Sequence, residues 1–245
     1  MLLVRKQNHK PNSISLFTSL SRWFLSVLFS IIILTPNLLL CIFSWKQAFA
    51  VLQWWARIEL KIFHIKLIVK DENYGKYDKP PYLIVLLNQT SLTEAMLMLA
   101  CSPTPIHILT NFRFAVIPLL GWSFVLMGSV VIFKPWKQQA KRGVMKAAQK
   151  MRKGSNFYIS IEGERSQDGK LSPYKKGPIV LALEAGAKIV PLSLKGAREC
   201  LPYGSWKIQP GTVEFHYHKA IELDQYSYDD RDEILNQLMG LACRS

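Results

Sequence analysis

Hydrophobic and polar positions change character once along this chain, near residue 63. Upstream, WFLSVLFSIIILTPNLLLCIFSW fills positions 23–45 without a charged residue. As a helix, that run is long enough to cross a hydrocarbon core. Pro36 and Asn37 lie past its middle, so a straight span and a kinked or re-entrant hairpin are both open. Trp23 and Trp45 flank the run, where interfacial anchors sit. The following KQAFAVLQWWARIELKIF, 46–63, sets Trp54, Trp55, Leu60 and Phe63 against Lys46, Arg57 and Lys61. Such a pattern suits a helix lying at a membrane interface and equally a core-packing helix.

From His64 onward the period changes. HIKLIVK, PYLIVLLN, IHILT, SVVIFK, NFYISIE, KIVPLSL and TVEFHYH have the length and apolar content of strands. SLTEAMLMLA, KQQAKRGVMKAAQKMRKG, GPIVLALEAG and DRDEILNQLMGLA have the period of helices. Strands alternating with helices predict an α/β fold: a mostly parallel or mixed sheet flanked by helices, after an N-terminal membrane-associated helical segment. The expected division is 1–63 for the basic segment, span or hairpin and amphipathic helix, and 64–245 for the α/β domain.

Charge sharpens the picture. Lys and Arg number 31 against 17 Asp and Glu, a formal net charge of +14. That balance suits an anionic partner, and the long apolar run favours an anionic membrane surface over nucleic acid, for which no motif is present. Arg5, Lys6, Lys10 and Arg22 precede the apolar run and Lys46 follows it, so the positive-inside rule sets no orientation for a single span. A hairpin returning to the cytoplasmic side accounts for both flanks. AFA at 48–50 resembles a leader cleavage site, but the basic region and the apolar run both exceed leader length. Cys41, Cys101, Cys200 and Cys243 have neither metal nor redox spacing and read as free thiols. His216 and His218 share one face of a strand, an arrangement open to a metal ion as well as to plain strand packing.

Four loops could carry chemistry, since ligands gather where strands of such sheets end. The first follows YLIVLLN and reads NQTSLTE, 88–94. Its Ser91 and Glu94 match a capping box. The second ends the strand FYISIE at Glu162, Gly163, Glu164, Arg165 and Ser166, and continues to Lys170, Lys175 and Lys176. Gly163 permits a tight path and Arg165 can grip a phosphate with two parallel hydrogen bonds. The third, IPLLGWSFVLMGSVVIFKPW at 117–136, delivers Lys134 at a strand end. In the fourth, KIVPLSLKG at 188–196, Pro191 implies an edge position or a bulge.

In order and spacing these segments resemble the blocks of the glycerolipid acyltransferase family, that of 1-acylglycerol-3-phosphate acyltransferase. Its N-H-x-S-x-x-D block is matched by NQTSLTE, and its I-P-x-x-G-W and G-x-x-x-I-x-R by IPLLGW and GSVVIFK. Its F-P-E-G-T-R-S with a following K-x-G is matched by SIEGERS and YKKG, and its V-P-V-x-x-x-G by VPLSLKG. The resemblance spans roughly residues 65–196.

It implies an enzyme of phospholipid biosynthesis at a membrane, with its α/β domain on the cytoplasmic face. The implied partners are acyl-CoA or acyl carrier protein as donor and a lysophospholipid such as lysophosphatidic acid as acceptor. No metal or cofactor is implied. Gln89 takes the position of the family's general base and Glu94 that of the aspartate orienting it. Lys134, Glu162, Gly163, Arg165 and Ser166 take the acceptor and phosphate positions. Glu94 keeps a carboxylate, Lys134 keeps charge but loses the guanidinium fork, and Glu164 sets a carboxylate where threonine stands in the family. Gln89 is the largest departure, because a carboxamide cannot take a proton. General-base catalysis is worth about 10²–10⁴-fold, or roughly 3–5 kcal/mol of barrier. The alternative expectation is therefore a family member that binds lipid or a partner without turnover.

Overall fold

The structure, a computed structural model, describes residues 15–77, 79, 81–88, 94–132, 137–162, 173–201 and 205–242. Two long helices come first, α1 (Leu16–Phe43) and α2 (Trp45–Ile62). Ser15 caps α1, its hydroxyl accepting from the Thr18 amide at 3.1 Å. The helix continues through Pro36 and ends only at Ser44, whose extended backbone turns the chain back so that α2 packs along α1.

The inward side of α1 carries Ser19, Ser26, Asn37 and Cys41 with Leu34, whereas Phe24 is 72% and Phe43 83% exposed. Half-buried Trp23, Phe29, Ile33 and Leu40 pack on the core beside them, and the outer face is left apolar. By length and composition α1 can cross a membrane. In α2, by contrast, Phe49, Leu52, Trp55 and Leu60 are buried in the main core and α3 packs against them. Of the two readings open for 46–63, the core packing is observed, with Trp55 buried and Trp54 turned outward.

The remainder runs β1 (Ile65–Asp71), β2 (Tyr82–Leu86), α3 (Glu94–Cys101), β3 (Ile106–Asn111), α4 (Phe112–Ala115), α5 (Leu120–Leu126), β4 (Val130–Ile132) and α6 (Lys137–Arg152). Then come β5 (Asn156–Ser160), α7 (Gly177–Ala185), β6 (Lys188–Lys195), α8 (Ala197–Cys200), β7 (Gly211–Tyr217) and α9 (Arg231–Ala242). All seven expected strands and four expected helices form, while the short α4, α5 and α8 fall below the length at which periodicity is legible. The strands make one sheet in the order β1-β7-β6-β2-β5-β3-β4. Every pairing is parallel except β6 with β7.

Two cores cover the two faces. One unites α1, α2, α3 and α5 over Ile84, Leu86 and Ile108; the other unites α6, α7 and α9 over Leu83, Val85 and Phe157. β2 is buried on both sides, which is why YLIVL is an unbroken apolar run.

Pro191 is not at an edge. It lies in β6, opposite Val85 of β2, with β7 on the other side. The bulge expectation does hold. β6 and β7 pair as Leu192 with Tyr217, and the next bridge joins Ile189 to Ile221, leaving one extra residue on the β7 side. The Pro191 carbonyl faces that bulge, accepting from the His218 amide at 2.9 Å, so the missing N–H falls where the ladder is already interrupted.

Candidate functional site

β2 and β5 are neighbours, yet their connections leave in opposite directions. From β2 the chain crosses over one face through α3 to β3; from β5 it crosses the other face through α7 to β6. Such a divergence opens a crevice at the carboxyl ends of the two strands. The first and second candidate loops are the two that leave here. A backbone bond ties their roots together, the Ile161 amide donating to the Leu86 carbonyl at 3.0 Å, and the Leu87 amide donates to the Leu192 carbonyl of β6 at 2.8 Å.

Asn88 extends this order past the strand. Its side-chain oxygen accepts from the Leu194 amide at 2.9 Å and its side-chain nitrogen donates to the Leu194 carbonyl at 2.6 Å, so a carboxamide replaces one backbone rung. On the other side, the Tyr174 hydroxyl donates to the Leu87 carbonyl at 2.7 Å. The loop roots are therefore held by side chains from both directions.

Two of the expected site residues belong to the described part. Glu94 opens α3 with 5% of its surface exposed, and Glu162 follows β5 with 2%. Gln89, Lys134, Gly163, Arg165 and Ser166 lie outside the described residues, as do Ser91 and the capping box proposed for it. Placing Glu94 at the first turn suits the helix dipole independently of any catalytic use.

Tyr158 was missed by sequence reasoning. It packs on the core beneath α3, and withdrawal from water, then the Glu94 charge, raises its phenol well above the ordinary tyrosine range. The phenol is thus a neutral hydroxyl beside a buried carboxylate. Strand alternation could have found it, because NFYIS sends Phe157 and Ile159 to one face and Tyr158 to the other.

The motif glycines have steric reasons. A Cβ on Gly121, in IPLLGW, would collide with the carbonyl oxygens of Phe114 and Ala115, so this glycine lets α5 close on α4. Leu119, two residues earlier, holds a φ of +62°. Gly196, which ends VPLSLKG, has a φ of +87° and would strike the Thr212 carbonyl if it carried a Cβ.

No described histidine takes the missing base position. His107 lies at the amino end of β3, stacked on Trp45 with ring centroids 4.5 Å apart. Burial, then the Lys150 ammonium, pushes it down to about 4. His216 and His218 are at the β1–β7 edge of the sheet.

Comparison with known proteins gives this geometry a context. A family model described as Acyltransferase matches residues 68–195. A chloroplastic 1-acyl-sn-glycerol-3-phosphate acyltransferase from Brassica napus is 29% identical over 168 residues, covering 68% of this chain and 48% of that protein. A protein of the same description from Borreliella burgdorferi is 25% identical over 202 residues, covering 79% of this chain and 80% of the other. The chain spans about half the length of the plant relatives it matches. A crystal structure of PlsC from Thermotoga maritima, a 1-acyl-sn-glycerophosphate acyltransferase, superposes with a TM-score of 0.77 at 20% identity over 94% of both chains. That likeness speaks to the fold alone.

Proposed function

The chain belongs to the acyltransferase family, and from that premise we propose that it moves an acyl chain from a thioester donor to the free hydroxyl of a lysophospholipid, with lysophosphatidic acid as the acceptor. The observation that carries the reading is the β2–β5 crevice, where two buried carboxylates, Glu94 and Glu162, stand at the roots of the two loops whose sequences match the family's blocks. The activity for which the relatives are named supports the acceptor.

In this reading the acceptor hydroxyl oxygen attacks the thioester carbonyl carbon. The tetrahedral adduct then collapses, the carbon–sulfur bond breaks, and the donor leaves as a thiol carrying the acceptor's proton. Gln89 orients the hydroxyl by hydrogen bonding and takes no proton. Glu94 is the group of the β2–α3 connection that can accept it. Arg165 and Lys134 hold the acceptor phosphate, with Gly163 and Ser166 shaping the loop around it. Acyl-CoA and acyl carrier protein are both suitable donors.

The uncovered apolar face of α1 supports residence at a membrane. The exposed Lys141, Arg142 and Lys146 of α6 support an anionic cytoplasmic surface beside the α/β domain.

The test incubates membranes bearing the protein with a labelled acyl donor and lysophosphatidic acid, beside Gln89→His and Arg165→Ala. Turnover by the wild type and its loss in Arg165→Ala are expected. An inert wild type, on lysophosphatidic acid and on other lysolipids, with activity gained in Gln89→His, would overturn the reading in favour of a lipid-binding member without turnover.

A further inference from the structure

We propose that Glu72, His216 and His218 form a binding site for a first-row divalent metal ion, of which Zn²⁺ best suits the donors. The site joins the turn after β1 to the end of β7, at the flank of the sheet away from the β2–β5 crevice. It is independent of the acyl-transfer reading.

The donor atoms already face one another. His216 Nε2 lies 2.7 Å from Glu72 Oε1, His218 Nδ1 lies 3.9 Å from the same oxygen, and all three ligand atoms fall within 4.8 Å. Bonds of about 2.0–2.1 Å at tetrahedral angles put ligand atoms roughly 3.3 Å apart. The two separations from the Glu72 oxygen bracket that value and the two imidazole nitrogens lie within 4.8 Å of each other, so closure needs side-chain adjustments of up to about 1.5 Å. The two imidazoles alternate on one strand, with ring centroids 4.0 Å apart.

The surroundings orient these donors. His218 Nε2 is 2.9 Å from the buried Ser193 hydroxyl. With Nε2–H donating to that oxygen, Nδ1 keeps its lone pair toward Glu72. A metal-ligating histidine is commonly fixed in this way through its other ring nitrogen. Glu72 Oε2 accepts from the Lys219 amide at 2.9 Å, which turns Oε1 toward the histidines.

Two imidazoles and one carboxylate match borderline first-row ions and are a poor set for Mg²⁺ or Ca²⁺, which prefer oxygen alone. Three protein donors leave a fourth position for water. The ion takes the place of the hydrogen bond between His216 Nε2 and Glu72 Oε1, with His216 as its Nδ1–H tautomer and its Nε2 lone pair on the ion. The bound ion would clamp the β1 turn onto β7, a structural role.

Full-length protein in detergent micelles, stripped with EDTA and dialysed, is titrated with Zn²⁺ by calorimetry and followed by thermal unfolding. One equivalent should bind with a Kd below about 10 μM, the melting temperature should rise, and Mg²⁺ should do neither. Glu72→Gln keeps hydrogen bonding in an exposed turn and should fold; it and His216→Ala should each weaken binding at least about ten-fold. Ser193→Ala, which removes a positioning group only, should cost about 10–100-fold in affinity. Absence of saturable Zn²⁺ uptake would overturn the proposal. So would uptake that Glu72→Gln and His216→Ala leave unchanged, since that would assign the ion to thiols elsewhere.

Discussion

Glu59, on one side, and Glu94 with Glu162, on the other, are buried carboxylates in opposite settings. Glu59 sits inside α2 against α1, fully buried, its Oε1 accepting from the Ser30 hydroxyl at 3.0 Å while the Trp55 indole donates to that hydroxyl at 3.1 Å. Burial raises it above the ordinary carboxylate value, against the hydrogen bonds of Ser26 and Ser30. Glu94 and Glu162 are buried as well, but they stand where parallel strands end and loops diverge. Burial alone therefore does not mark a site. What distinguishes the crevice is its place at a topological switch, where rigid strands hold groups beside loops able to receive a ligand. Glu59 joins two helices through Ser30 and Trp55.

The largest expected effect tests the crevice. Glu94→Gln keeps the size and removes the proton acceptor, so turnover should fall by about 10²–10⁴-fold, read in the labelled-acyl assay. Unchanged turnover would leave Glu94 with the capping role alone and erase its contrast with Glu59.

A third buried titratable group, His107, extends the contrast to acid. The unfolded chain takes up this proton near pH 6.5, whereas the folded chain holds it off until about 4. Stability should thus fall as pH drops from about 6.5 to 4, by roughly 3 kcal/mol, and level off below. His107→Phe, which can stack on Trp45, should flatten that slope in denaturant titrations at each pH. Glu59 has the opposite sign. Its raised value means stability is lost as pH rises through and above the carboxylate range and is regained in acid.

Next in size, Glu59→Ala should cost roughly 2–3 kcal/mol, through a cavity and a Ser30 hydroxyl left without its acceptor. Glu59→Gln should stay within about 1 kcal/mol of wild type, because it keeps the Ser30 bond and relieves a buried charge. Equal losses in both variants would show that charge, rather than the network, holds α1 to α2. Gly121→Ala should cost about 1–3 kcal/mol by overpacking, seen as a lowered melting temperature.

Much of this was legible in residue order. The apolar run of 23–45, the strand segments and the four blocks are local patterns, and the described parts of the run and of the strand segments became the expected elements. Pro191 shows where locality stops. Its residue type forbids an ordinary rung, and that much was readable; whether an edge or a bulge satisfied it depended on which strands became its neighbours. Glu59 could not be read at all, since a glutamate among Trp, Arg and Lys looks like a solvated helix face until α1 lies across it. Tyr158 was hidden for a similar reason, being one aromatic among several until Glu94 came to lie beside it.

The sequence by itself determined the α/β class, the lipid-suited helix and the identity of the blocks, because periodicity and block spacing are properties of the chain. Only the tertiary structure decided that 46–63 is a core helix, that Pro191 is central, and that Glu72 meets His216 and His218. Those outcomes rest on contacts between residues far apart in sequence, 144 positions in the case of Glu72 and His216, and no local pattern encodes which distant neighbour a side chain will find.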